Sequence, residues 1–232
     1  MKGIGLLIPA MAVAAVTSAS TSHAALIAKW TFDGLSVSST AGNVPVPTVG
    51  SLAADIGNGT AAAFHSSAAT VWSTPVGNGS AKSLSSNNWS QNDYYEFKTT
   101  TTGSATLFFG FDQTRSSTGP GQFQLEYSTD LGATFTPLPG GAYTVLANAS
   151  PNPTWNSTTQ SPIYTTIFDL SSVGANLPDF RVRLTQTATG IATAGTNRVD
   201  NVVFAETAAE IPEPAGVGLV AGVLALTRRR RA

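Results

Sequence analysis

The chain has 232 residues and no cysteine, and only 11% of it is charged, whereas Ser and Thr together approach a quarter of it. That length suits one β-rich domain with a sizeable core, and the composition excludes a helix bundle or coiled coil, which needs abundant Ala, Glu, Lys, Leu and Arg at helical spacing. The net charge of −1 hides an asymmetry: residues 25–210 hold seven basic and twelve acidic residues, while four arginines sit together near the end. The body therefore offers no basic field to attract nucleic acid.

At the front, Lys2 precedes an apolar run from Gly3 to Val16, and Ser22-His23-Ala24 then places small residues three and one before the next bond. This pattern reads as a secretory signal peptide, residues 1–24, cut after Ala24. A retained anchor is disfavoured, because the run is about 14 residues and a span needs about 20. Export without cysteine means that packing and strand pairing alone hold the fold, and it excludes a thiolate nucleophile or thiolate zinc site.

The body from Ala25 to Glu206 is dominated by a period of two. Leu107, Phe109 and Phe111 alternate with Thr106, Phe108 and Gly110; Phe123, Leu125 and Tyr127 alternate with polar neighbours; so do Phe180, Val182 and Leu184. Alternation of this kind marks strands with one buried face. Further strands are predicted at 26–32, 81–85, 94–100, 134–138, 143–146, 163–170 and 199–205. Turn signals separate them, among them Gly77-Asn78-Gly79, Thr118-Gly119-Pro120-Gly121 and Pro139-Gly140-Gly141. About ten strands without a linker predict one antiparallel β-sandwich. Residues 34–78, rich in Ser, Ala, Gly and Pro, are expected to form long loops, and Thr99 to Thr102 a corner.

Several polar and aromatic residues are candidates for function, each with a structural reading beside it. Trp89 and Trp155 lie in Asn/Ser/Thr-rich segments where an exposed indole can stack on a sugar; the other reading is core. Asp112 and Arg115 end a strand three residues apart, either as a pair binding a sugar hydroxyl or as an ion pair fixing the loop. Asp200 and Asn201 interrupt an apolar strand. If pairing is regular, one of them faces inward and needs partners, either loop groups or a structural calcium. Ser128-Thr129-Asp130-Leu131-Gly132-Ala133-Thr134-Phe135 fits the Asp-box pattern S-x-D-x-G-x-T-[WF], a self-bonded hairpin turn in a single copy. Catalysis is hard to build. His65 is the one histidine left after processing and has no G-x-S-x-G element near it, although Asp93, Glu96, Asp112 and Glu126 could converge as paired carboxylates.

The C-terminus runs Pro212-Glu213-Pro214, then an apolar stretch from Ala215 to Leu226, then Arg228 to Arg231. The prolines keep the segment extended, the stretch partitions into a bilayer, and the arginines stay on the cytoplasmic side. At 12 residues, about 18 Å as a helix, it suits a transient stop more than a permanent anchor.

These three elements in this order resemble the PEP-CTERM sorting signal of Gram-negative bacteria. The resemblance implies recognition of Pro212, Glu213, Pro214, Arg228, Arg229, Arg230 and Arg231 by an exosortase, and delivery to the cell surface or extracellular matrix after transient anchoring in the inner membrane. In the body, Tyr94-Tyr95-Glu96-Phe97, residues 111–120 and 125–130, and Asn197-Arg198-Val199-Asp200-Asn201-Val202 resemble the jelly-roll ectodomains that accompany such tails, which are similar in outline to galactose-binding-like and concanavalin-like sandwiches. The expectation is therefore an all-β chain: signal peptide 1–24, a sandwich at 25–206 and a sorting tail at 207–232. Its expected role is non-catalytic, structural or adhesive, in contact with exopolysaccharide. The alternative is a carbohydrate-binding module with a defined sugar site, and a glycoside-active enzyme is the third reading. No cofactor is expected, with calcium at Asp200 left open.

Overall fold

The computed structural model describes residues 25–37, 39–40, 52–190, 192 and 194–211. Its strands are β1 (Leu26–Trp30), β2 (Ser39–Thr40), β3 (Ile56–Gly57), β4 (Gly59–Phe64), β5 (Val71–Ser73), β6 (Leu84–Ser86), β7 (Tyr94–Thr99), β8 (Phe108–Arg115), β9 (Gln122–Ser128), β10 (Thr136–Thr144), β11 (Thr165–Asp169), β12 (Phe180–Gln186) and β13 (Asn197–Ala205). A single-turn helix, α1 (Ser171–Gly174), precedes β12. They form two antiparallel sheets. One, of eight strands, runs β11-β8-β13-β6-β5-β2, with β1 on β13 and β3 on β1; the other runs β10-β9-β12-β7-β4. From β7 onward the chain crosses between the sheets at every step but the β9–β10 hairpin, the connectivity of a jelly roll.

The two-residue period places one row of each sheet in the core. Tyr95 and Phe97 of β7, Phe123 and Leu125 of β9, and Val182 and Leu184 of β12 face Trp30, Phe109, Phe111, Val202 and Phe204 of the other sheet, all essentially inaccessible to solvent. Rings meet edge-on or tilted, as between Trp30 and Phe97 at 5.4 Å and between Phe109 and Phe204 at 4.7 Å. Burying a side chain of this size contributes roughly 1.5–3 kcal/mol, so the aromatic layer supplies the cohesion that a cysteine-free fold lacks in cross-links.

Two departures from the sequence reading stand out. Residues 34–78 include β2 to β5. The pattern of β4, Gly-Thr-Ala-Ala-Ala-Phe, is weak because the inward positions are Ala61 and Ala63, which carry little strand propensity yet fit closely against β7. The predictions at 134–138 and 143–146 fuse into β10, whose register against β9 shifts between Pro137 and Ala142. Gly140, at φ 74°, supplies the left-handed turn inside that irregularity.

After β13 a 3-10 turn at Ala208–Glu210 leads to Ile211, which is buried against Val203, Ala205, Leu26, Phe108 and Ile167 on the outer side of the eight-stranded sheet. Gly110 lies beneath it, and a side chain there would collide with that of Ile211. Ile211 thus packs on the body although it follows Glu206. Residues 1–24 and the sorting motif Pro212, Glu213, Pro214 and Arg228 to Arg231 lie outside the described residues. No helix among the described residues is long and apolar enough to cross a membrane.

Candidate functional site

The outward face of the five-stranded sheet collects a row of aromatic and charged side chains. Alternation turns Tyr94, Glu96 and Lys98 of β7 and Arg181 and Arg183 of β12 away from the core, and the register sets Arg183 opposite Glu96 on one side and Glu126 on the other. Phe64 of β4 is the cross-strand partner of Tyr94, and their rings stack at 5.4 Å with 19° between planes. The guanidinium of Arg183 lies 3.8 Å over the ring of Tyr94 and 3.5 Å over that of Phe135. Its Nε donates to Glu96 Oε2 at 2.8 Å, and Arg181 approaches the other oxygen of the same carboxylate at 3.6 Å.

Asp179 continues the row, accepting from Arg181 Nε at 2.8 Å and pairing with Lys98 Nζ at 2.8 Å. Hydrogen bonding to Arg181 holds the Asp179 carboxyl below the usual carboxylate range, while burial pushes the Tyr94 phenol up. Beyond Lys98 the face opens into a hollow of about 300 Å³, lined by Asn58, Gly59, Thr60, Lys98, Thr99, Thr100 and Pro178. Flat apolar rings beside fixed charged hydrogen-bonding groups suit a polyhydroxylated ligand, whose C–H faces stack and whose hydroxyls pair with guanidinium and carboxylate.

The Asp-box supplies Phe135 to this face. Ser128 Oγ donates to Asp130 Oδ1 at 2.7 Å and accepts from the Gly132 amide at 3.0 Å, while Asp130 takes both the amide and the hydroxyl of Thr134. Leu131 and Gly132 adopt positive φ, 63° and 86°. These bonds pull Asp130 down to about 2. The motif is a structural turn, and its aromatic residue seats the Arg183 guanidinium.

Asp112 and Asp200 form a second cluster, on the outer side of the eight-stranded sheet. They are cross-strand partners on β8 and β13, both buried under the loops around Asn78 and Gln160. Asp112 Oδ2 accepts from Asn78 Nδ2, Gln160 Nε2 and Asn201 Nδ2 at 2.9–3.0 Å, and Oδ1 from Thr165 Oγ1 at 2.6 Å. Asp200 Oδ2 accepts from the Asn78 amide at 2.7 Å and Ser80 Oγ at 2.6 Å, and Oδ1 from the Asn201 amide. Burial, with Asp112 as a lesser cause, pushes Asp200 up to about 7.

Regular pairing would have turned Asp200 or Asn201 into the core; a bulge between Asp200 and Val203, with Asn201 at φ 47°, turns Asp200 outward instead. Asp200 is held by the 78–80 loop and by the amide of the adjacent Asn201. Calcium does not fit this donor set. The Asn78 amide group is oriented by Ser161, whose N–H donates to its Oδ1 and whose carbonyl accepts from its Nδ2, so N–H groups rather than oxygens point at Asp112. Among the described residues no three His, Asp or Glu side chains converge on a metal position.

Asp112 and Arg115 do not pair. An odd spacing on a strand puts them on opposite faces, and Arg115 instead donates to the carbonyls of Val145, Ser116, Ser117 and Gly119, fixing the 116–119 loop. Trp89 and Trp155 are buried at 0% and 2% exposure, so neither is a sugar platform. Polar flanking sequence misleads here because each indole N–H is satisfied by a backbone carbonyl, of Ser86 and Val76 respectively. Phe64, Arg183 and Phe135, missed from sequence, were legible only as members of an outward row once the register was known.

One further constellation escapes sequence reading. Ser86 Oγ lies 3.2 Å from His65 Nε2, and His65 Nδ1 3.4 Å from Asp93 Oδ2. The order is that of a serine triad, but all three are buried, the imidazole meets Trp72 and Trp89 edge-on, and Asp93 is committed to the amides of Ser66 and Ser90. Burial lowers His65 to about 4. A neutral base without solvent or substrate access is a core element and not a nucleophile activator. Of the four carboxylates considered for glycosidase chemistry, Glu96 and Glu126 share the outward face, whereas Asp93 and Asp112 are buried in separate clusters.

No protein-family model and no curated protein matches the chain. Solved structures similar to it include TmCBM61 in complex with β-1,4-galactotriose, 9% identical over 63% of this chain and 86% of that one, TM-score 0.35. The CBM22-1 xylan-binding domain of Paenibacillus barcinonensis Xyn10C is 8% identical over 78% and 94%, TM-score 0.40. The K1 cleaved adhesin domain of Lys-gingipain from Porphyromonas gingivalis W83 is 10% identical over 76% and 95%, TM-score 0.40.

Proposed function

We propose that this chain is an exported, non-catalytic protein of the cell surface or extracellular matrix, sorted by an exosortase, that contacts exopolysaccharide through the outward face of its five-stranded sheet. The observation that carries the reading is the row Phe64, Tyr94, Arg183 and Phe135, where two stacked rings and a guanidinium seated between two aromatic faces gather on the sheet and on the turn after β9. Phe64, Tyr94 and Arg183 are carried by strands and Phe135 by a self-bonded turn, so they are held in place before any ligand arrives, which lowers the entropic cost of binding. The two carboxylates on this face are engaged by the protein itself, Glu96 by Arg181 and Arg183 and Glu126 by the Thr185 hydroxyl, which supports a binding rather than a catalytic role. Export and sorting are supported by the leader at 1–24 and the tripartite tail.

The test is a glycan array with the exported protein and its Tyr94→Ala and Arg183→Ala variants. Saturable binding to one glycan class, weakened at least tenfold by either change with the melting temperature nearly kept, supports a defined sugar site. Binding by no glycan sinks it. Sorting is tested separately, since replacing Arg228 to Arg231 with Ser should mislocalise the protein and unchanged surface delivery would count against an exosortase.

A further inference from the structure

Ala25 and Glu206 close the two ends of the body on each other. Leu26 of β1 pairs with Ala205 of β13, and the ladder extends by one more residue, because the Glu206 amide donates to the Ala25 carbonyl at 3.0 Å. The return bond is not backbone to backbone. The Ala25 nitrogen donates to the side-chain Oε2 of Glu206, also at 3.0 Å. Glu206 is itself held by Thr106, whose hydroxyl donates to its carbonyl at 2.7 Å. Among the described residues no Lys, Arg or His pairs with this carboxylate.

Ala25 is also the residue that the leader reading makes the new N-terminus, and the inference rests on that reading. We infer that Glu206 is the receptor for the α-ammonium group created when the leader is removed, so that processing installs an ion pair between the first residue of the mature chain and the residue following β13. The chemistry balances with water alone. Hydrolysis breaks the Ala24–Ala25 peptide bond, hydroxide ends on the Ala24 carbonyl carbon and hydrogen on the Ala25 nitrogen, and the amine takes one more proton from solvent at neutral pH. A neutral amide with one hydrogen becomes a cation with three, at the position where a carboxylate already accepts. Charge-assisted bonds of this type are shorter and stronger than neutral ones. The pair is exposed and therefore modest and salt-sensitive, but it sits where β1 would otherwise fray.

The experiment uses the chain recovered after export, its Glu206→Gln variant, and the exported chain acetylated at its N-terminus. Mass spectrometry is expected to place the mature N-terminus at Ala25; a terminus at any other residue overturns the inference through the cleavage reading. With Ala25 confirmed, NMR titration should show the α-amino pKa about half a unit higher in the parent chain than in Glu206→Gln. High salt or acetylation should abolish the difference in melting temperature between parent and variant, about 1–2 °C at pH 6. Equal α-amino pKa values in the two chains overturn the ion pair while leaving the cleavage position and the sugar-face reading intact.

Discussion

His65 Nε2 lies 3.2 Å from Ser86 Oγ inside the core, where Trp72 and Trp89 meet the imidazole edge-on and no solvent reaches it. The neutral ring is the form the fold accepts. Its pKa in the folded chain is about 4, against 6.5 unperturbed. Between those values the unfolded chain binds more protons, so this contribution is present at neutral pH and is lost as pH falls from about 6.5 to 4. The stability gap between the parent and His65→Gln should therefore shrink by about 3 kcal/mol between pH 7 and pH 4, measured by urea denaturation. A gap independent of pH would show that the imidazole is not neutral by burial.

Trp89 and Trp155 should behave as core residues and not as ligand residues. Trp89→Ala should cost about 3–5 kcal/mol, because it leaves a cavity next to His65, Tyr95 and Phe123 and strands the Ser86 carbonyl. Trp155→Ala, which removes the contact with Tyr164 at 5.4 Å, should destabilise in the same range. Calorimetry checks both. Loss of glycan binding without loss of stability would reverse the assignment.

Asp112 and Asp200 should need no cation. With their oxygens occupied by N–H and O–H donors, a chelator such as EDTA is expected to leave the melting temperature unchanged, and a fall of several degrees would reinstate calcium. The proton on the pair makes a second check. Asp200 at about 7 binds a proton in the folded chain that the unfolded chain has released above its usual 3.8, so stability is lost as pH rises through 7. Asp200→Asn should gain on the parent by about 2 kcal/mol between pH 5 and pH 8.

Ile211 fastens the end of the body. Ile211→Ala should cost about 2 kcal/mol, at the low end for a buried isoleucine because its cluster is a small satellite beside the main core. Hydrogen exchange should rise in β1 and β11, which line that cluster, with β7 and β12 unaffected. Uniform loss of protection would mean that Ile211 belongs to the global core.

The period of two made most of the sandwich legible. β9 and β12 appear in sequence because large apolar residues alternate with polar ones, and β8 because Leu107, Phe109 and Phe111 recur at every second position. β4 does not, since alanines carry its inward face, and β2, β3 and β5 are too short to show any period. The candidate site was hidden for a different reason. Phe64, Tyr94, Arg183 and Phe135 come from four separate segments, and only strand register brings them together. Polarity of flanking sequence proved a poor guide to exposure for Trp89 and Trp155. Register also decides between partners, since Asp112 and Arg115 are neighbours along the chain and on opposite faces of it, while Asp112 and Asp200 are distant in sequence and opposed across the ladder.

The seat of Ile211 gives the molecule a direction of pull. Ile211 packs on the outer side of the eight-stranded sheet, and the end of β13 is bonded to β8 on one side and β1 on the other. A pull applied along β13 from its C-terminal end would load both ladders in shear, so that their bonds would resist together instead of parting one by one. The face proposed to grip polymer belongs to the opposite sheet, and the aromatic layer between the sheets carries the strain across.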